Sequence, residues 1–101
     1  MVKPTKRYKK TLLLLAYKSE RSKSQAFKAI AYQLGKELHM GRDILPLTQE
    51  LIDLGLVIRT NPEAPSVKGH MHITTAEGCK EIEAYFNDLE SISQRNPKFG
   101  F

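Results

Sequence analysis

Apolar positions along this chain change their spacing from segment to segment, and each change marks a structural element. Thr11 to Tyr17 carries Leu12, Leu13, Leu15 and Ala16 in a strongly helix-forming stretch that the polar run Lys18 to Ser24 ends, which predicts a first helix. After Ser22 or Ser24, either of which can cap a helix, Phe27, Ile30, Ala31, Leu34 and Leu38 recur at the i, i+3, i+4, i+7, i+11 spacing of one helical face. Gly35 either ends this second helix or is tolerated within it. Asp43 is a natural N-cap for a third helix through about Leu54, because Pro46 is allowed in a first turn that has no internal N–H partners. Gly55 then closes that helix.

The period next shortens to that of a strand. Leu56 to Thr60 is a β-rich run, and His70 to Thr74 alternates polar and apolar residues, so the two segments read as a hairpin. Its connection, Asn61 to Gly69, is too long and Pro-rich for a tight turn and is expected to be an exposed, mobile loop. Thr75 caps a last helix in which Cys79, Ile82, Tyr85 or Phe86, Leu89 and Ile92 form a seam of near-heptad spacing. The expected class is mainly α with a small β-hairpin, an α+β fold. It divides into a basic N-terminal arm over 1–10, one domain over 11–93 and a C-terminal tail over 94–101.

Composition supports a single domain. The chain has 101 residues, 41% hydrophobic and 27% charged, enough for one core without metal or disulfide staples. The lone Cys79 cannot form an internal disulfide, which sets aside the secreted, disulfide-built class. Its place on the last helix's seam makes it a small hydrophobe. The apolar run Leu12 to Tyr17 is far shorter than the ~20 residues of a membrane span and falls short of a signal peptide, so the N-terminus reads as that of a mature, cytoplasmic chain.

Charge changes the picture more. The net charge of +5 conceals a split: Met1 to Arg42 carries eleven basic and two acidic residues, a net of +9, whereas Asp43 to Phe101 carries a net of −4. A basic region of this density, fronted by Lys3, Lys6, Arg7, Lys9 and Lys10, suits a polyanion, because each neutralised phosphate releases counterions. Double-stranded DNA is therefore the expected partner and the nucleoid the expected location.

Three helices, a two-stranded hairpin with a long tip and a closing helix, in that order, resemble a winged helix-turn-helix domain. Leu51-Ile-Asp-Leu-Gly-Leu-Val57 resembles a recognition helix passing through glycine into the first wing strand. Ile73-Thr-Thr-Ala-Glu-Gly78 resembles the Leu-Thr-x-x-Gly pattern of bacterial regulators of the MarR and PadR type. The resemblance covers about residues 10–90. It implies that Asp43 to Leu54 enters the DNA major groove, that the wing Val57 to Thr74 lies over a neighbouring backbone, and that the protein is a transcription regulator working as a symmetric dimer. The wing tip differs, with Ser66-Val-Lys-Gly69 where MarR proteins commonly carry an Asp-Arg pair.

On a helical wheel the third helix exposes Pro46, Gln49, Glu50 and Asp53, and turns Thr48 inward. Gln49 can bond an adenine edge, while the two carboxylates oppose phosphate. Arg42, beside the cap, can fork onto guanine or clamp a phosphate, with Lys36 and His39 just upstream. Lys23, Ser24 and Lys28 start the second helix, where free N–H groups favour an anion. Arg59, Lys68 and His70 are the wing's contacts. The basic arm either follows the backbone or enters a minor groove. Ile82, Tyr85, Phe86, Leu89 and Ile92 are the expected dimer interface, on a helix of about 75–93.

Other chemistries find little support. His70 and His72 point the same way on a strand, which reads as an outward pair rather than a metal site. No nucleophile motif, glycine-rich phosphate loop or spaced carboxylate pair is present, so neither catalysis nor a cofactor is expected. The main rival is a winged helix that binds a protein partner through the carboxylates of its third helix and its apolar seam. An RNA-binding domain would use the same basic arm, but it would be expected to interleave aromatic residues for stacking single-stranded bases, and no such pattern is seen.

Overall fold

The structure, a computed structural model, describes residues 4–95; the side chains of Val67 and of residues 90–95 lie outside the described set. Four helices and one hairpin follow in the order α1 (Lys6–Ala16), α2 (Lys23–Leu34), α3 (Leu45–Asp53), β1 (Val57–Arg59), β2 (His72–Thr74) and α4 (Ala76–Arg95). The mainly helical class with a small two-stranded sheet is as expected. The N-terminal arm is not. α1 begins at Lys6, because the Thr5 hydroxyl accepts from the Tyr8 N–H and caps it, so Lys6, Arg7, Lys9 and Lys10 stand on a helix. Lys3, the Ile92 side chain and the tail residues 96–101 lie outside the described residues.

α2 starts at Ser22 rather than Ser24, through a reciprocal box with Gln25. It stops at Gly35, whose φ of 54° is open to glycine at little cost. Leu38 is still buried, although it lies beyond the helix. The chain then makes a π-helical turn, Met40–Ile44, before α3. Asp43 therefore is not the N-cap of α3. It lies within this turn, and its carboxylate accepts from the His39 N–H at 2.9 Å. Gly55, with φ of 75°, ends α3 as expected.

β1 and β2 pair antiparallel in the register Val57 with Thr74, Ile58 with Ile73 and Arg59 with His72. The residues before α2 add a short edge, since Arg21 and His72 exchange both backbone hydrogen bonds. A 3-10 turn, Val67–Gly69, shapes the tip of the hairpin. Thr75 joins the hairpin to α4: its hydroxyl donates to the Gly55 carbonyl at 2.8 Å and accepts from the Gly78 N–H at 3.1 Å.

The core gathers Leu12, Leu13, Leu14 and Tyr17 of the first helical segment, Ala26, Ile30 and Leu34 of α2, Leu47 and Leu51 of α3, Val57 and Ile82. Thr48 is buried as its wheel position predicts, and its hydroxyl lies 2.9 Å from the Tyr17 hydroxyl. His72 is fully buried against the Tyr17 ring, 5.4 Å between centroids, so the reading of His70 and His72 as an outward pair fails for His72. His70 lies outside the strand, half-buried, with its ring Nε2 3.2 Å from the Ala64 carbonyl. Ile82 serves the core of its own subunit and is not available to a partner.

Candidate nucleic-acid interface

α3 turns Leu47, Thr48 and Leu51 inward and leaves Leu45, Pro46, Gln49 and Asp53 exposed. Gln49 is held in place on this face: its amide donates to Asp53 at 2.9 Å, and its carbonyl oxygen accepts from the Arg59 guanidinium at 3.3 Å. Glu50 turns sideways to α1, where Lys6 approaches at 3.2 Å and Lys10 at 3.7 Å. The Lys6 ammonium holds its carboxyl below the ordinary glutamate range.

Arg42 lies on the same side. It donates to the Asp43 carboxylate and to the Glu37 carbonyl, and its side chain is 57% exposed. Lys9 closes on Asp43 at 3.2 Å. Burial pushes the Asp43 carboxyl up, but hydrogen bonds from Arg42, from the His39 N–H and from Lys9 outweigh it and leave the group at about 2. Arg7 points elsewhere, pairing with Asp88 at 2.6 Å over the Tyr85 ring. Lys6, Lys9 and Lys10 are thus distributed over two carboxylate sites on the α3 side, and Arg7 is paired on α4.

On the opposite flank of α3 the cations have no such partners. A hollow of about 500 Å³ is lined by Lys23 and Ser24 at the start of α2, Met40 of the π-helical turn, Leu45 at the start of α3, and Lys68 at the hairpin tip. Lys28 follows Ser24 by one helical turn and is exposed. Among the described residues no carboxylate lies within ion-pairing distance of Lys23, Lys28, Arg59 or Lys68. Partial burial, with the nearby Arg59 charge, pushes the Lys23 ammonium below its ordinary range. Lys36 and His39 are exposed on the connection between α2 and α3 and line neither this hollow nor the one beside Arg42.

The arrangement therefore brings together Lys23, Ser24, Lys68, Arg59 and Gln49, and places Arg42 and Lys6 across α3 from them. Sequence reasoning missed the apolar floor, Met40 and Leu45, because a wheel drawn from Asp43 assigns Leu45 to the core face. It also missed that Glu50 is turned to α1. Lys6 and Lys10 at i and i+4 opposite a lone glutamate are a signal, but only once α1 is extended to Lys6. Among the described residues no three His, Cys, Asp or Glu side chains converge as metal ligands, and no helix is long and apolar enough to cross a membrane.

Helices α1 to α3, a hairpin after α3 and a closing helix make this a winged helix-turn-helix fold. Among solved structures, the complex structure of hsRosR-S1 shares it, with a TM-score of 0.61 at 20% sequence identity over 87% of this chain and 72% of the other. No protein-family model matches the sequence, and no curated protein matches it.

Proposed function

We propose that this protein binds double-stranded DNA as a homodimeric transcription regulator, with α3 in the major groove and the hairpin as its wing. The observation that supports this best is the pair Lys23 and Lys68 lining a hollow beside the exposed face of α3, with the Arg59 charge acting on Lys23, none of the three having a carboxylate partner among the described residues. Cations left unpaired near an open face suit phosphates, and Gln49 between them is a hydrogen-bonding group of the kind that reads base edges. Ser24 and Lys28 extend the cationic flank along α2, His70 and Lys68 extend it along the wing, Arg42 approaches the duplex from the π-helical turn before α3, and Lys36 and His39 approach it from the connection upstream.

The dimer uses α4. Phe86 and Leu89 remain 50% and 43% exposed on it, whereas Tyr85 packs on Tyr8. A second reading, a winged helix that grips a protein, draws on Leu54, which is 56% exposed in a hollow that Leu14, Leu51 and Leu56 line together with Arg7, Lys10, Thr11 and Glu81. It gains nothing from Glu50, whose carboxylate is already engaged by α1. Selection from random duplex DNA tests the proposal: it should enrich two half-sites related by a dyad and about one helical turn, roughly 10 base pairs, apart. Failure to enrich any sequence, together with capture of the protein by a partner at the Leu54 hollow, would support the second reading.

A further inference from the structure

The two carboxylates facing α1 differ in kind. Asp43 is locked, since its side chain is 9% exposed and it accepts from Lys9, Arg42 and a backbone N–H. Glu50 is loose. Its side chain is 37% exposed, its nearer partner Lys6 is 67% exposed, and Lys10, itself 25% exposed, reaches it only at 3.7 Å. Lys6, Lys9, Arg42, Asp43 and Glu50 line one open hollow of about 310 Å³ along the edge of α3, with Pro46 between them. Ion pairs between exposed partners contribute little to stability and are given up readily to a competing anion. A backbone phosphate is such a competitor, because it offers more acceptor oxygens than one carboxylate and releases counterions when neutralised.

We propose that Glu50 is an internal counter-ion that occupies Lys6 and Lys10 until a DNA phosphate displaces it. The first turns of α1 then become a second backbone-gripping edge of α3, opposite the wing. The inference rests on the DNA-binding reading above. A weakly seated, non-specific duplex presents its phosphates too loosely to offset the displacement and leaves Lys6 and Lys10 on Glu50. A duplex drawn in by contacts at Gln49 completes the exchange.

A double-mutant cycle with random-sequence duplex and with the selected site, each titrated from low to moderate salt, tests this. Glu50→Gln should raise affinity for random duplex roughly tenfold at low salt and steepen its log–log salt dependence by about 0.9 for each phosphate gained, one or two in all. The selected site should gain at least as much affinity, because its complex no longer carries the cost of displacing Glu50, but with no steepening of its salt dependence, since the phosphates are already held there. In a Lys6→Gln, Lys10→Gln background the same Glu50→Gln change should alter random-duplex affinity by less than about twofold. A gain that persists undiminished in that background reflects general charge repulsion and overturns the inference while leaving DNA binding intact. Unchanged random-duplex affinity in Glu50→Gln alone also overturns it. A wild-type protein without salt-dependent duplex binding overturns the inference and the reading beneath it together.

Discussion

Lys9 Nζ lies 3.2 Å from the Asp43 carboxylate, and this contact joins α1 to the π-helical turn that launches α3. The pair spans 34 positions of sequence, and both side chains are largely buried. Removing one partner would strand the other charge, which is the costly way to break such a pair. Asp43 sits at about 2 in the folded protein, below its ordinary value of 3.8, so its contribution is complete above the unfolded value and is lost as pH falls toward 2. We expect Asp43→Asn to lower stability at neutral pH by about 2 kcal/mol and to flatten the acid limb below about pH 4. Denaturant unfolding across pH measures both effects.

His72 governs a different window. Burial first, with the Lys23 charge adding to it, pushes its imidazole down to about 4 from 6.5, and both ring nitrogens are buried without hydrogen-bond partners among the described residues. The folded chain holds His72 neutral while the unfolded chain takes up a proton, so stability is full above about 6.5 and declines as pH drops toward 4. The loss should be on the order of 2–3 kcal/mol. His72→Phe, which keeps a ring against Tyr17, should remove this decline, leaving the lower window of Asp43 in place. An unchanged pH profile in the variant would show that His72 does not carry the effect.

Gly78 is required by close approach rather than by a turn. A Cβ there would collide with the Leu56 carbonyl oxygen and the Thr74 methyl group, so α4 could not lie against the base of the hairpin. We expect Gly78→Ala to cost about 1–3 kcal/mol of stability, read as a lowered unfolding midpoint.

The sequence made this glycine visible through its place in the Thr-Thr-Ala-Glu-Gly run, and the helical periods of α2 and α3 were equally plain. What escaped it is long-range. An aspartate before an apolar run has the local signature of an N-cap, and nothing local shows that Lys9, Arg42 and the His39 N–H will enclose it. Thr5 could have placed the start of α1, but a run of lysines reads as a solvated arm. His72 illustrates parity in a strand: a slip of one residue exchanges the faces, and its polar side chain suggests the wrong one. Val57 turns inward to the core while Ile58 is exposed, so the buried face of β1 is not set by the count of apolar residues.

On α4, Phe86 and Leu89 are apolar, exposed and one turn apart, whereas Ile82 and Tyr85 are taken up within the subunit. If α4 is the dimer contact, sedimentation should show a dimer at roughly tens of micromolar for the wild type and a monomer for Phe86→Glu with Leu89→Glu. Wild-type protein that sediments as a monomer at that concentration removes the dimer.

The most direct measurement is duplex affinity as a function of salt, for the wild type and for Lys23→Ala with Lys68→Ala. We expect a log–log slope of about −0.9 per phosphate held in the wild type, and a slope shallower by about 1.8 once both lysines of the hollow are gone. Affinity that does not change with salt, or a slope indifferent to the loss of Lys23 and Lys68, would contradict the assignment of this surface to DNA.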